Sequence, residues 1–267
     1  MIDTHAHLNF EDFKDDYQEV IEDNFKNGLM ALINVGSNLE TSQKAIKITK
    51  EFTGCYAALG LHPIHVEDEE FNEEKYKELI EKNKEKVKAI GETGLDFYHS
   101  QNNKEKQKSL FLKHISLANL SDLPIIIHSR GSKGNPRDAY LELLEIIKGL
   151  PTSRSSAVRG VIHCFSANRE IVQEFLKLGF YVGFDGPITF KNADPLVLEA
   201  VKETPLNKIL LETDSPYLTP EPYRGQRNQP VYIRFVAQKI AELKNISLEE
   251  VISQTTKNAQ KLFDIKL

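Results

Sequence analysis

Six residues of metal-binding type stand at the ends of short apolar runs: His5, His7, Glu92, His128, His163 and Asp214. His5 and His7 are two apart. On a strand such residues face the same side, about 6.6 Å apart at roughly 3.3 Å per residue, and twist at the strand's end lets both imidazoles converge on one cation. Taken alone, a His-x-His is also what a polar strand terminus looks like; the other four residues make the metal reading the stronger one. Glu92 sits between Gly91 and Thr93-Gly94 inside an apolar run, where an unpaired carboxylate is costly to bury. A cation removes that cost, and a carboxylate can bridge two cations, as a histidine cannot; the alternative is an interior glutamate paired with an arginine. The pattern suggests two divalent ions, one on His5, His7, Glu92 and Asp214 and one on Glu92, His128 and His163, with positions left for water and substrate. Two such ions about 3.5–4 Å apart can clamp a phosphoryl oxygen and make water a nucleophile at neutral pH. Asp214 can also accept the water's proton, so it is the expected general base, with Glu92 beside it in the catalytic set; its bland alternative is a turn cap before Ser215-Pro216. Imidazoles favour Zn, Mn, Fe or Co, while carboxylates and a phosphate substrate admit Mg or Mn.

Such residues need a scaffold that brings distant segments together. Apolar runs predict strands at Met1–His5, Met30–Val35, Tyr56–Leu61, Ala89–Thr93, Pro124–His128, Gly160–His163, Tyr181–Phe184 and Ile209–Glu212; near-continuous apolar runs are what parallel strands covered by helices look like. Amphipathic stretches between them predict helices, among them Phe13–Asn27, Glu73–Lys86, Lys104–Leu120 and Pro195–Glu203. A last one, Leu248–Phe263, follows a Ser247 cap with Glu250 three residues on, and its extra turns are expected to cover the outside or the bottom. Eight alternations without a Pro/Gly/Ser-rich linker fit a single (β/α)8 TIM barrel of the α/β class, one domain over residues 1–267. An open doubly wound sheet would usually put a Gly-rich phosphate turn after the first strand, where this chain has His5-Ala6-His7. In such barrels, reactive side chains gather at the C-terminal ends of the strands. Five of the eight histidines, His5, His7, His62, His128 and His163, fall at predicted strand ends.

The neighbours suggest substrate clamps. His62, before Pro63, has no obvious metal partner and is assigned to a phosphate oxygen, against the alternative of a histidine satisfied by backbone. Arg130, Arg224 and Arg227 lie in loops on the same side, where guanidinium forks suit phosphates, although each could equally be a surface arginine. His65, His99 and His114 are not expected to be ligands: His114 lies on a helix face and the other two in loops beyond the ring.

Composition excludes other classes. The 34 Lys and Arg against 39 Asp and Glu give a net charge of −5, which argues against a protein that coats nucleic acid by overall charge, though not against local grip on phosphates. No apolar stretch approaches the length of a spanning helix, and the N-terminus lacks a secretion-signal layout. Cys55 and Cys164 form no disulfide framework and are expected to be reduced thiols, far apart in the barrel. A cytoplasmic monomer that meets no membrane is the expectation.

At these residues the sequence resembles the TatD family of metal-dependent deoxyribonucleases, among the amidohydrolase-like barrels. The resemblance spans essentially the whole chain. It rests on Asp3-Thr4-His5-Ala6-His7-Leu8, Gly60-Leu61-His62-Pro63, Gly91-Glu92-Thr93-Gly94-Leu95-Asp96-Phe97 and Pro124–Arg130. The most specific stretch is Leu211-Glu212-Thr213-Asp214-Ser215-Pro216-Tyr217-Leu218-Thr219-Pro220, followed by Pro222-Tyr223-Arg224-Gly225 and Arg227-Asn228. The family's ligands carry over onto His5, His7, Glu92, His128, His163 and Asp214. The resemblance implies DNA as a transient substrate, phosphodiester hydrolysis and exonuclease activity. Ala167 stands where the family usually has Gly, Thr93 where Ile is common, and the Gly131–Arg137 loop with Lys133 is longer than usual, which bears on substrate preference. Two alternatives stay open: another amidohydrolase chemistry on an ester, lactone or amide, and a non-catalytic barrel braced by metal. Many binuclear members of that superfamily use a carboxylated lysine on strand four; Glu92 in that position favours the nuclease branch.

Overall fold

A computed structural model describes residues 1–99, 102–151 and 158–267. Eight parallel strands pair in chain order: β1 (Ile2–Ala6), β2 (Ala31–Val35), β3 (Cys55–Leu59), β4 (Val87–Asp96), β5 (Ile125–Arg130), β6 (Gly160–Ile162), β7 (Tyr181–Phe184) and β8 (Ile209–Leu211). Helices α1 (Tyr17–Lys26), α2 (Leu39–Glu51), α3 (Glu73–Lys82), α4 (Lys104–Ser121), α5 (Asp138–Lys148), α6 (Arg169–Lys177), α7 (Pro195–Glu203) and α8 (Ile233–Lys244) alternate with them, and α9 (Leu248–Phe263) follows. This is the expected TIM barrel.

The seam between β8 and β1 closes beyond the end of β8. The Asp214 backbone N–H donates to His5 O at 2.9 Å and that of His7 to Ser215 O at 2.8 Å, so Ala6 bridges Ser215 in parallel. Below them the buried Asp3 carboxylate accepts from Thr213 N (3.1 Å) and Thr213 Oγ1 (2.6 Å), and Thr4 Oγ1 donates to Leu211 O.

Outward strand faces pack on helices, while inward residues such as Ile2, Ile33, Ala58, Ile126, Val161 and Leu210 form one cluster with Ala259, Leu262, Phe263 and Ile265. The end of α9 therefore plugs the lower mouth. It is fixed there by Lys88 Nζ donating to Asp264 O and Tyr56 OH to Lys266 O. Ser247 caps α9 by accepting from Glu250 N at 3.1 Å, as its position suggests. With the lower end filled, the upper end is left for a site.

Several boundaries depart from expectation; α3, for one, ends at Lys82 and not Lys86. α1 begins at Tyr17, because Glu11–Phe13 forms a separate 3-10 turn. β4 runs on to Asp96, because Gly94, Leu95 and Asp96 stay in register with His128, Ser129 and Arg130 of β5. Gly94 is required there: its φ is +139°, and a Cβ would come within 2.1 Å of His128 O. No helix among the described residues is long and apolar enough to cross a membrane. Both cysteines are free thiols.

Candidate metal centre

The upper mouth of the barrel holds a cavity of about 750 Å³ lined by His7, His62, Glu92, His128, His163 and Asp214, among others. His5 lies beneath them, fully buried. All six expected ligands and His62 thus come together from β1, β3, β4, β5, β6 and β8.

Two side-chain orientations are set from behind. The Nδ1–H of His7 donates to Val35 O at 2.8 Å, and that of His163 to Glu212 Oε2, also at 2.8 Å. When neutral, both rings therefore turn an Nε2 lone pair to the centre. His5 Nε2 lies 3.1 Å from His7 Nε2. Two lone pairs this close repel unless a proton or a cation lies between them.

The four donors expected on one ion test the fit of a cation. His5 Nε2 is 3.4 Å from Glu92 Oε2 and 3.8 Å from Asp214 Oδ1; His7 Nε2 is 4.0 and 3.3 Å from the same atoms. Donors each at about 2.1 Å from one ion would be spaced roughly 3.0–3.5 Å, so slight contraction accommodates it. The other oxygen of Glu92, Oε1, faces a different set: His128 Nδ1 at 2.9 Å, His62 Nε2 at 3.6 Å and His163 Nε2 at 3.9 Å. His163 Nε2 is also 3.7 Å from Asp214 Oδ1.

Electrostatics point the same way. Burial works against a charged His163, yet Glu212, Glu92 and Asp214 raise it to about 10. His128 is likewise raised to about 9, against burial, by its hydrogen bonds to Asp96 and Glu92. Burial also opposes ionisation of Glu92, but His62, His5 and His128 hold it well below the usual carboxylate range. Asp214 is lowered too, against burial, by His7 and His163. A field that draws protons onto histidines draws divalent cations as well.

His62 behaves differently. Its Nδ1 accepts from the Ile64 N–H at 3.2 Å, and burial lowers it to about 4. A neutral ring with Nδ1 so engaged carries its proton on Nε2, so it offers the cavity a donor and not a lone pair. That separates it from the other histidines around Glu92 and suits a contact to a phosphate oxygen.

The arginines divide. Arg130 lines the cavity, its guanidinium 4.2 Å above the Tyr98 ring, with Lys133 from the loop after β5 5.2 Å from that ring. Arg224 stacks on Phe190 at 3.7 Å and is not among the lining residues. Arg227 corrects the expectation: its fork grips both oxygens of Asp16 and its NH1 also donates to Asp12 O, above the Phe13 ring. Three of its N–H groups hold the last loop to the start of α1.

Five further residues belong to this mouth. Glu212, named above only within a motif, backs His163. Asp96, at the end of the extended β4, contacts His128 Nε2 at 3.1 Å. His65 and His99 line the cavity instead of lying beyond it. Asp185, just after β7, is buried beside Cys164, and burial raises it to about 7. Reading all eight strand ends, including the seventh, finds Asp185. His114 is buried on α4 and bonded to backbone, away from the centre.

Asp214 and Cys164 both adopt left-handed backbone, with φ of 56° and 46°. Non-glycine residues adopt it at a cost, and such outliers cluster at functional sites. A sequence model of the family described as TatD related DNase matches residues 2–264. The chain belongs to the TatD family. It is 42% identical over 266 residues to the uncharacterized metal-dependent hydrolase YabD of Bacillus subtilis, with 99% of each chain covered. It is 34% identical to the uncharacterized metal-dependent hydrolase YcfH of Escherichia coli K12, over 99% of this chain and 96% of that one. The solved structure of YjjV, a TatD homologue from Escherichia coli K12, superposes with a TM-score of 0.89 at 28% identity, over 100% of this chain and 98% of that one. As a TatD-family member the chain is a metal-dependent hydrolase.

Proposed function

We propose that this TatD-family hydrolase cleaves phosphodiester bonds of DNA, acting as an exonuclease with two divalent cations. His5, His7, Glu92 and Asp214 would hold one, and Glu92, His128 and His163 the other. The observation that carries this reading is the division of labour on Glu92, whose Oε2 faces His5 and His7 while Oε1 faces His128 and His163. A carboxylate so placed could serve both sets of donors, which supports the two-cation reading.

When bound, such cations neutralise charge on a phosphoryl oxygen and acidify the attacking water. The protein's own groups do the rest. Asp214, ionised and open to the cavity, accepts the proton of that water. His62 Nε2–H donates to a nonbridging oxygen, and the Arg130 guanidinium holds a flanking phosphate. The family description, TatD related DNase, supports a DNA substrate.

The test is a gel assay with labelled single- and double-stranded DNA, with and without chelator, run beside lactone, amide and phosphotriester substrates. Chelator-sensitive release of nucleotides is expected. Untouched DNA beside cleavage in the other panel would overturn the nuclease reading, and a content of one ion per chain at full activity would overturn the two-cation part.

A further inference from the structure

Asp96 is almost wholly buried at the mouth, and its carboxylate collects four donors. Oδ1 accepts from the backbone N–H groups of Tyr98 (3.0 Å) and His99 (2.9 Å). Oδ2 meets two imidazoles, His128 Nε2 at 3.1 Å and His99 Nδ1 at 2.9 Å. The backbone beneath it is fixed as well: Asp96 N donates to Gln107 Oε1 and Asp96 O accepts from Gln107 Nε2, tying the strand end to α4. The Oδ1 clamp prevents the carboxylate from rotating, so Oδ2 is held between a histidine inside the centre and one at its rim. The His99 side chain is half exposed and lines the cavity.

A neutral imidazole has one lone pair, and the partner of one nitrogen decides which nitrogen bears it. We propose that Asp96 is a positioning residue for His128: by accepting from the His128 Nε2–H it leaves the Nδ1 lone pair on the side of Glu92, where a cation would sit. The proposal rests on the reading of His128 as a metal ligand. Carboxylates that orient metal-binding histidines in this way typically matter 10–100-fold for metal affinity. Asn in place of Asp96 keeps an acceptor for the two backbone N–H groups. Turned toward His128, however, its amide donates where Oδ2 accepted, which favours the wrong tautomer.

The experiment measures affinity for Mn(II) and for Zn(II) by competition with a coloured chelator in wild type, Asp96→Asn, His99→Gln and His128→Asn. Asp96→Asn is expected to weaken one of the two sites about 10–100-fold. His99→Gln, which removes the other imidazole on Oδ2, is expected to leave metal affinity unchanged. If His128→Asn binds metal normally, the ligand reading of His128 fails. If His128→Asn loses affinity and Asp96→Asn does not, the Asp96 proposal fails. An equal loss of affinity in His99→Gln would trace the effect to the turn around Asp96 and overturn the assignment to His128. A measurement that needs no variant is the histidine nitrogen NMR spectrum of the zinc-loaded protein: His128 should be ligated at Nδ1 and protonated at Nε2, and the reverse would overturn the proposal.

Discussion

Glu212 receives the Nδ1 proton of His163 across 2.8 Å from a position wholly shielded from solvent. The same oxygen accepts from Cys164 N at 3.1 Å, and the carboxylate is pressed against β7, where a Cβ on Gly183 would come within 2.2 Å of it. The pair makes His163 a rigid donor. Glu212→Gln should therefore raise the metal concentration needed for half-maximal activity by about 10–100-fold, read by titrating metal into chelated protein. An unchanged titration would reduce Glu212 to packing.

Asp214→Asn should lower turnover by at least about 100-fold, the low end for a positioned base. Circular dichroism should show the fold retained. Near-normal turnover in that variant would remove Asp214 from proton transfer.

The two arginines should separate in kinetics. Arg130→Ala is expected to raise KM for oligonucleotide by roughly 10-fold, because a charge-assisted phosphate contact is lost. Arg227→Ala, whose fork is occupied by Asp16, should leave KM within about twofold of wild type while lowering the melting temperature, as loss of a partly buried ion pair would. Equal effects on KM would contradict the division drawn from the geometry.

His114 sets a pH term in stability. Its Nε2 accepts from Leu61 N and its Nδ1 donates to Leu110 O, while burial lowers its pKa from 6.5 to about 4. Between those values the unfolded chain binds the extra proton, so stability rises with pH there. It is fully present above pH 6.5 and lost as pH falls toward 4, by about 3 kcal/mol in all. Urea unfolding of chelated protein between pH 7 and 5 should show a shallower pH dependence in His114→Gln than in wild type. Parallel curves would refute the assignment.

The barrel and the convergence of the six expected ligands were legible because two strong signals coincide: eight apolar runs and polar residues of ligand type where those runs stop. The supporting carboxylates were harder to find. Glu212 and Asp96 both sit within quoted motifs, yet what they touch depends on registers that pair strands four with five, six with seven and seven with eight. Asp96 is placed by the continuation of β4, which periodicity alone ends earlier. Arg227 misled because a basic residue in the correct loop reads the same whether it faces a ligand or an internal acid; only its packing on Phe13 and Asp16 decides. His99 misled for the opposite reason, since the turn after Asp96 folds it back over the mouth.

The seam where Asp214 N meets His5 O joins residues from the two extremes of the barrel. During synthesis, His5 and His7 emerge long before Asp214 exists, and until then the ring stands open beside them. A nascent chain on the ribosome therefore carries His5 and His7 without the enclosure around them, and on the proposed mechanism, which uses Asp214, hydrolysis waits until β8 has docked.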